Sequence, residues 1–388
     1  MPTPLRGPDL PEPSEDARRH SERLSETIRK EIDSASGWIG FARFMELALY
    51  APGLGYYVAG AAKLGGDGDF VTAPEVSPLF GRTLAWQVAE FLERTGGDVL
   101  ELGAGSGTMA ADVLGELQNV DCLPRRYLIL ETSPQLRERQ QRMLQQRQPA
   151  LAGRMEWIRA LPENFDGVII ANEVLDALPA HLIAWRRDGL YERGVSWKDG
   201  FVWSERPLHP GTLRNAAEAI GAEAGYVSEI SLVAPALVRS LSAALRKGAL
   251  LLIDYGFGRR EYYHPQRSQG TLMCHYRHRT HHDPFFLPGL QDVTAHVDFT
   301  AVAEAGIDAG LNILGYTTQA QFLINSGITQ LLEHQSDAAA ASRFALTAGV
   351  QKLLSPAEMG ELFKVMALGR DIDGPLIGFA SGDKTRLL

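Results

Sequence analysis

The stretch that decides the fold runs from residue 99 to residue 114 and reads VLELGAGSGTMAADVL. It opens with a short, largely apolar run of strand length, and the residues from Thr108 onward have the amphipathic spacing of a helix. Between them lies a turn with the spacing G-x-G-x-G, formed by Gly103, Gly105 and Gly107. A strand, a glycine-rich turn and a helix in this order are typical of the ligand-binding edge of a doubly wound parallel sheet.

The chain on either side of this stretch repeats the same alternation. Further apolar runs of strand length lie at 127–130, 155–158, 168–171 and 249–253, and amphipathic helices are expected at 108–118, 134–148 and 233–247. Residues 181–205 alternate differently, with Asp188-Gly189 and Asp199-Gly200 as hairpin turns. The sequence therefore predicts an α/β fold with a Rossmann-like doubly wound sheet, interrupted by an inserted β meander.

We expect four regions along the chain. Residues 1–36 are a proline-rich lead-in and a surface helix, 37–95 a helical and loop cap, 96–257 the core with the insert at 181–205, and 258–388 a loop, a helical insert and closing strands. The apolar runs at 312–316, 363–368 and 376–380 compete for the closing positions in the sheet, and the sequence leaves that choice open.

Composition excludes several classes of protein. The 388 residues carry a net charge of −9, which disfavours a nucleic-acid partner. Cys122 and Cys274 are the only cysteines, too few for a disulfide framework or a four-cysteine zinc site. No run approaches the roughly 18 apolar residues that a membrane-inserted helix needs, and residues 1–36 contain no apolar targeting segment. We expect a cytoplasmic protein.

The residues around the glycine turn indicate which cofactor it binds. Glycines let the backbone approach a ligand closely, and the helix that follows presents free N–H groups. The spacing lacks the extra residue of the dinucleotide fingerprint G-x-G-x-x-G, and Glu101 stands where it would repel a pyrophosphate. A carboxylate there suits the cationic S-adenosyl-L-methionine, whose amino-acid end it can hold through water or loop amides. The predicted cofactor-binding residues are Glu101, Gly103, Ala104, Gly105 and Gly107.

A second acid, Glu131, completes the predicted cofactor site. Glu131 follows the 127–130 strand, where a carboxylate can accept both ribose hydroxyls of an adenosine.

Three polar residues, Asn172, Glu173 and Asp176, follow the 168–171 strand, at the edge where such sheets bind substrate. In a helical turn Glu173 and Asp176 share a face and could grip a planar guanidinium. The same residues could instead form a helix start capped by Asn172, and both readings can hold together.

Seven long motifs carry a resemblance to a known family. They are FARFMELALYAPGLGYY at 41–57, GDGDFVTAPEVSPLFG at 66–81, ELGAGSGTMAADVL at 101–114, ETSPQLRERQ at 131–140, ANEVLDALPAH at 171–181, LLIDYGFGRREYY at 251–263 and HHDPFFLPGLQDVTAHVDFTAVAEA at 281–305. In this order they resemble the MidA family over about residues 37–380. The resemblance implies a class I S-adenosyl-L-methionine-dependent methyltransferase.

The resemblance also implies a substrate and further site residues. Mitochondrial members of the family methylate an arginine of a respiratory complex I subunit, so an arginine-bearing protein, such as a complex I subunit, is the implied partner. Asn172, Glu173 and Asp176 would then act on the guanidinium, and His296 would help to position it. The segments 66–81 and 294–299 would close over the cofactor, with Tyr57, Thr72, Pro74 and Glu75 as the candidates in the first region.

Other functions stay open at this point. A binding or assembly protein that keeps the fold without transfer, a small-molecule methyltransferase and, less in keeping with Glu101, a nicotinamide or flavin oxidoreductase are the alternatives. The cluster of Cys274, His275, His278, His281 and His282 invites a metal site, but methyl transfer needs no Lewis acid and Arg277 and Arg279 would repel a cation, so we expect no metal. The aromatic residues of 181–205 are compatible with a homodimer surface or a plain core.

Overall fold

A computed structural model describes residues 10–59, 71–334 and 340–388. The chain divides into two compact units, each assembled from separate stretches of sequence. The first unit comprises Met1–Phe70, Asp176–Ala234 and Glu261–His296, and the second comprises Val71–Leu175, Pro235–Arg260 and Val297–Leu388. The division differs from the predicted contiguous boundaries, because the second half of the expected cap, from Val71 onward, belongs with the large sheet.

The helices of the described residues are, in chain order, α1 (Glu15–Ser34), α2 (Phe41–Tyr50), α3 (Ala73–Val76), α4 (Pro78–Thr95), α5 (Thr108–Asn119), α6 (Pro134–Arg147), α7 (Thr212–Ile220), α8 (Val233–Ala244), α9 (Arg259–Tyr262), α10 (Phe299–Asp308), α11 (Gln319–Asn325), α12 (Ile328–Glu333) and α13 (Ala340–Leu354).

The strands are β1 (Ile39–Gly40), β2 (Asp98–Leu102), β3 (Tyr127–Leu130), β4 (Met155–Ile158), β5 (Phe165–Asn172), β6 (His181–Arg186), β7 (Gly189–Trp197), β8 (Phe201–Pro207), β9 (Val227–Ile230), β10 (Leu245–Phe257), β11 (Met273–Tyr276), β12 (Arg279–His281), β13 (Asp292–Thr294), β14 (Val297–Asp298), β15 (Asn312–Thr318) and β16 (Phe363–Arg370).

The second unit is built on an eight-stranded sheet in the order β15-β16-β10-β5-β2-β3-β4, with β14 paired to the end of β10. Strands β4, β3, β2, β5 and β10 are parallel, whereas β16 and β15 run antiparallel to their neighbours. The strand order reverses between β2 and β5, so the carboxyl ends of these two neighbours flank the crevice where doubly wound sheets bind ligands.

This sheet confirms the predicted fold class. All five predicted core runs are strands. The interior positions of the runs in β2, β3, β5 and β10 are almost fully buried because both faces of the sheet are covered by helices, whereas the edge strand β4 is partly exposed. Two of the three competing terminal runs, at β15 and β16, complete the sheet, and the third forms only a short 3₁₀ turn at Ile377–Phe379.

The first unit contains a five-stranded sheet in the order β1-β7-β6-β9, with β8 paired to β7, and a three-stranded sheet in the order β12-β11-β13. The predicted meander is confirmed as β6, β7 and β8, joined at residues 187–188 and 198–200, so the first turn lies one residue before the predicted Asp188-Gly189. Its inward side chains, together with α1 and α2, form an apolar core that includes Phe41, Phe44 and Val195. No helix in the described residues is long and apolar enough to cross a membrane.

Candidate cofactor and substrate site

The glycine turn lies at the carboxyl end of β2, between Leu102 and the first residue of α5. Gly103 has a φ of +64°, and a Cβ atom on it would come within 2.8 Å of Val174 Cγ2 beyond the neighbouring strand β5. Gly105 has a φ of +53°, and a Cβ atom there would have only the Gly103 carbonyl oxygen near it, at 4.0 Å. The turn therefore needs glycine for its shape and leaves open space in front of Gly105.

Glu101 lies beneath this turn on β2 and is 1% exposed. Tyr127 on β3 donates its hydroxyl proton to Glu101 Oε2 across 2.6 Å. Burial raises the pKa of Glu101 to about 7, although the hydrogen bond from Tyr127 opposes the shift. Glu101 is thus hydrogen-bonded within the sheet. It could act on a cofactor amino group only through the residues of the loop above it.

Glu131 follows β3 directly and is half-buried. Its Oε1 accepts the backbone N–H of Ser133 across 2.8 Å, and its Oε2 accepts Gln140 Nε2 across 3.2 Å. A carboxylate has about four lone-pair positions, so two remain for other donors. This geometry fits a ribose diol, and together with the space at Gly105 it shows that the residues present suit an adenosine-bearing cofactor.

Helix α3 is hydrogen-bonded both to the glycine turn and to the end of β5. The carboxylate of Glu75 accepts hydrogen bonds from Ser106 Oγ and, across 3.1 Å, from Thr108 Oγ1. Two residues earlier, the backbone N–H of Ala73 donates to Glu173 Oε1 across 2.9 Å. The structure thus brings the predicted residue Glu75 to the cofactor turn.

The other residues predicted for this region differ in their placement. Thr72 occupies the N-cap position of α3 without a side-chain hydrogen bond to the helix, and Pro74 is a buried residue of the helix itself. Tyr57 belongs to the first unit, where it hydrogen-bonds Asp292. Residues 66–70 of the segment expected to close over the cofactor lie outside the described residues.

The chain leaves β5 by a sharp turn and not by a helix. Residues 173–178 form bends and turns, so the predicted helical turn, with Asn172 as its cap and Glu173 and Asp176 on one face, is wrong. Glu173 has a φ of +53°, and its N–H donates to the Ile253 carbonyl across 2.9 Å. Asp254, fully buried on β10, accepts the N–H of Leu175 across 2.9 Å. These tertiary hydrogen bonds hold a conformation that local sequence disfavours.

Asn172 presents an acceptor at this strand end. The side chain is 7% exposed, and its Nδ2 donates to Glu173 Oε1 across 3.2 Å. Its Oδ1 is buried and has no hydrogen-bond partner within the described residues. A buried acceptor of this kind favours a ligand that donates an N–H or O–H group.

The remaining predicted site residues lie in the first unit. Asp176 is 5% exposed, and its backbone carbonyl accepts the N–H of Ala295 across 3.0 Å. His296 is half-buried, and its backbone N–H donates to Thr271 Oγ1 across 3.0 Å. The structure therefore places both in a different unit from Asn172 and Glu173.

The first unit also contains a buried aromatic and acidic cluster that the sequence did not reveal. Tyr50 and Tyr57 stack at 5.6 Å, and Tyr57 donates to both carboxylate oxygens of Asp292, at 2.9 and 3.0 Å. Burial, and then the charges of Asp292 and Asp176, raise the pKa of both tyrosines. Two carboxylates thus lie close to the stacked rings, a combination that complements a flat cation.

The histidine segment forms strands β11 and β12, whose register pairs Cys274 with His281. Cys274 is fully buried in the core of the first unit, so this part of the segment is a core strand. Burial lowers the pKa of His275 to about 4. Among the described residues, no group of three or more His, Cys, Asp or Glu side chains could hold a metal ion.

Comparison with known proteins places this geometry in a family. Residues 83–317 match the model of a family described as S-adenosyl-L-methionine-dependent methyltransferases. Among curated proteins, the zebrafish protein arginine methyltransferase NDUFAF7 (mitochondrial) is 29% identical over 90% of this chain and 88% of its own. The mouse protein of the same name is 30% identical over 86% of this chain and 81% of its own.

A solved structure is closer still. The crystal structure of a COG1565 superfamily member from Burkholderia thailandensis bound to S-adenosyl-homocysteine is 50% identical, covers 98% of this chain and all of its own, and superposes with a TM-score of 0.95. These findings confirm the resemblance to the MidA family drawn from the sequence. The chain belongs to this family of S-adenosyl-L-methionine-dependent methyltransferases.

Proposed function

We propose that the protein transfers the methyl group of S-adenosyl-L-methionine to an arginine side chain of another protein. The curated relatives from zebrafish and mouse are named protein arginine methyltransferases, which supports this substrate class. The observation in this chain that carries the proposal is the buried Oδ1 of Asn172 at the end of β5, an acceptor for which the described part of the chain offers no partner. A guanidinium is made only of donors, so it complements such an acceptor.

The neighbouring carboxylate strengthens this assignment. Glu173 Oε1 lies 3.2 Å from Asn172 Nδ2 and orients the amide so that its oxygen faces away from that hydrogen bond. The sulfonium cofactor supplies an electrophilic methyl group. The amide oxygen of Asn172 would hold one N–H of the substrate and so direct a guanidinium nitrogen, while the charge of Glu173 favours a cationic substrate over a neutral one.

The first unit offers a second place that suits a cation. Asp176 and Asp292 are both at least nine-tenths buried beside the stacked rings of Tyr50 and Tyr57. Carboxylates and aromatic faces are the groups that bind arginine in proteins. A complex I subunit as the methylated protein, and the cytoplasmic location expected from composition, stay predictions.

The test is incubation of the purified protein with tritiated methyl donor and a lysate of its source cells, followed by acid hydrolysis and separation of the methylated amino acids. Label in methylarginine supports the proposal. Label confined to a small metabolite, or to another amino acid, would indicate a methyltransferase of different specificity. The absence of any transfer by a protein that still binds S-adenosyl-homocysteine would indicate a binding or assembly protein.

A further inference from the structure

Gln140 connects three elements of the second unit through one buried side chain. It lies on α6, faces the sheet and is fully buried. Its Oε1 accepts the indole N–H of Trp157 on β4 across 2.8 Å. Its Nε2 donates to the Gly105 carbonyl across 3.0 Å and to Glu131 Oε2 across 3.2 Å. Every polar group of the amide is therefore matched with a partner.

The partners also fix which way the amide points. The indole N–H of Trp157 can only donate, so the atom that faces it must be the amide oxygen. The amide nitrogen is then forced toward Gly105 and Glu131, both of which present acceptors. Trp157 thus determines the orientation in which Gln140 reaches the glycine turn and the acid after β3.

Glu131 is restrained on both of its oxygens as a result. The backbone of Ser133 holds Oε1 and Gln140 holds Oε2, so the carboxylate cannot rotate without breaking a hydrogen bond. The same amide group holds the carbonyl of Gly105, the residue that faces open space in the turn. One side chain therefore sets the distance between the two parts of the predicted adenosine site.

We propose that Gln140 is a positioning residue that locks the carboxylate of Glu131 and the carbonyl of Gly105 in the geometry that binds the ribose of the cofactor. The proposal rests on the assignment of Glu131 to the ribose hydroxyls. A buried amide that only filled space between α6 and the sheet would contribute to stability but not to recognition of those hydroxyls, and this difference can be measured.

The experiment compares S-adenosyl-homocysteine with its 2′-deoxy and 3′-deoxy analogues by titration calorimetry. The measured quantity is the ratio of dissociation constants, analogue over parent, for each protein. A hydrogen bond to a charged acceptor corresponds to a ratio of about 10 to 100, which we expect in the wild type. Replacement of the acid in Glu131→Ala should reduce the ratio to below about 3.

Gln140→Met keeps the volume and removes the amide. If Gln140 positions Glu131, the ratio in this variant falls to below about 5, whereas a ratio equal to that of the wild type overturns the proposal. Gln141→Met is the matched control, because Gln141 is the next residue on α6 and is exposed. We expect it to keep the ratio of the wild type.

Two further results complete the test. Trp157→Phe removes the group that orients the amide, and it should lower the ratio at least twofold; if Gln140→Met does not fold, an unchanged ratio in Trp157→Phe overturns the proposal. A ratio below about 3 in the wild type would instead refute the assignment of Glu131 to the ribose, and the proposal would fall with it.

Discussion

The backbone N–H of Ala73 donates to Oε1 of Glu173 across 2.9 Å, so a four-residue helix is attached to the end of the fourth parallel strand. The same helix reaches the glycine turn through Glu75. Because Glu173 also accepts Asn172 Nδ2, its carboxylate supports the candidate substrate acceptor and the wall of the cofactor crevice together. Glu173 is therefore a positioning residue as well as a source of negative charge.

Replacement of Glu173 tests this attachment. Glu173→Ala leaves the Ala73 N–H without its acceptor, which costs about 1–3 kcal/mol of the free energy of unfolding, and we expect weaker binding of S-adenosyl-homocysteine. Glu173→Gln keeps an oxygen acceptor, so it should lose less stability and less affinity for S-adenosyl-homocysteine. Calorimetry and urea unfolding measure the two quantities. Glu163→Ala, at an exposed position, is the control. Equal effects of the Ala and Gln variants would contradict the attachment.

Gly105→Val tests the position of the cofactor. The valine side chain would project into the open space in front of the turn, and a β-branched residue at a φ of +53° adds about 1–3 kcal/mol of backbone strain. We expect loss of S-adenosyl-homocysteine binding with a modest fall in melting temperature. Gly53→Val, at a φ of +68° and with nothing within 4 Å of a Cβ atom, is the matched control and should bind normally. Wild-type affinity in Gly105→Val would refute the placement.

The raised pKa of Glu101 leads us to expect that the stability of the protein depends on pH. Its pKa in the folded protein is about 7, above the ordinary value of 4.5, so between these values the folded state binds more protons than the unfolded state. The contribution to stability is therefore present in full below pH 4.5 and is lost as the pH rises through 7, with a total of about 3 kcal/mol. Urea unfolding of the wild type and of Glu101→Gln at pH 5 and pH 8 measures it. Parallel pH profiles of the two proteins would contradict the shift.

Tyr57 and Tyr50 provide a matched pair in the first unit. Tyr57 donates to the buried carboxylate of Asp292, whereas Tyr50 donates to the neutral carbonyl of Ala177 across 3.0 Å. Hydrogen bonds to charged groups are roughly twice as strong as neutral ones. We expect Tyr57→Phe to lower the free energy of unfolding more than Tyr50→Phe, by about 1 kcal/mol. An equal or smaller loss in Tyr57→Phe would show that the hydrogen bond from Tyr57 to the Asp292 carboxylate adds no extra stability.

The sequence predicted the parts of the fold that follow from local pattern. The strands around Val99 and Val168 are apolar runs of the right length, and the glycine turn follows one of them directly, so the sheet and the cofactor edge could be placed in advance. The turn at Glu173 could not, because its positive φ is imposed by Ile253 and Asp254, which lie about 80 residues away in the chain.

The partners of single side chains were also hard to predict from local sequence. Gln140 shares a helical face with the buried Leu144, and a polar residue on that buried face of α6 is a sequence signal of a buried hydrogen-bonding side chain. Asp292 and Tyr57 are 235 residues apart, and no spacing in the sequence connects them. The separation of Asp176 from Glu173 into different units likewise depends on the chain path and not on their spacing.

A crystal structure of the protein with S-adenosyl-homocysteine bound would test the cofactor site atom by atom. We expect the ligand to lie against Gly103–Gly107, with both ribose hydroxyls within hydrogen-bond distance of the Glu131 carboxylate. Binding at another place on the chain, or a ribose that does not contact Glu131, would contradict this placement of the cofactor.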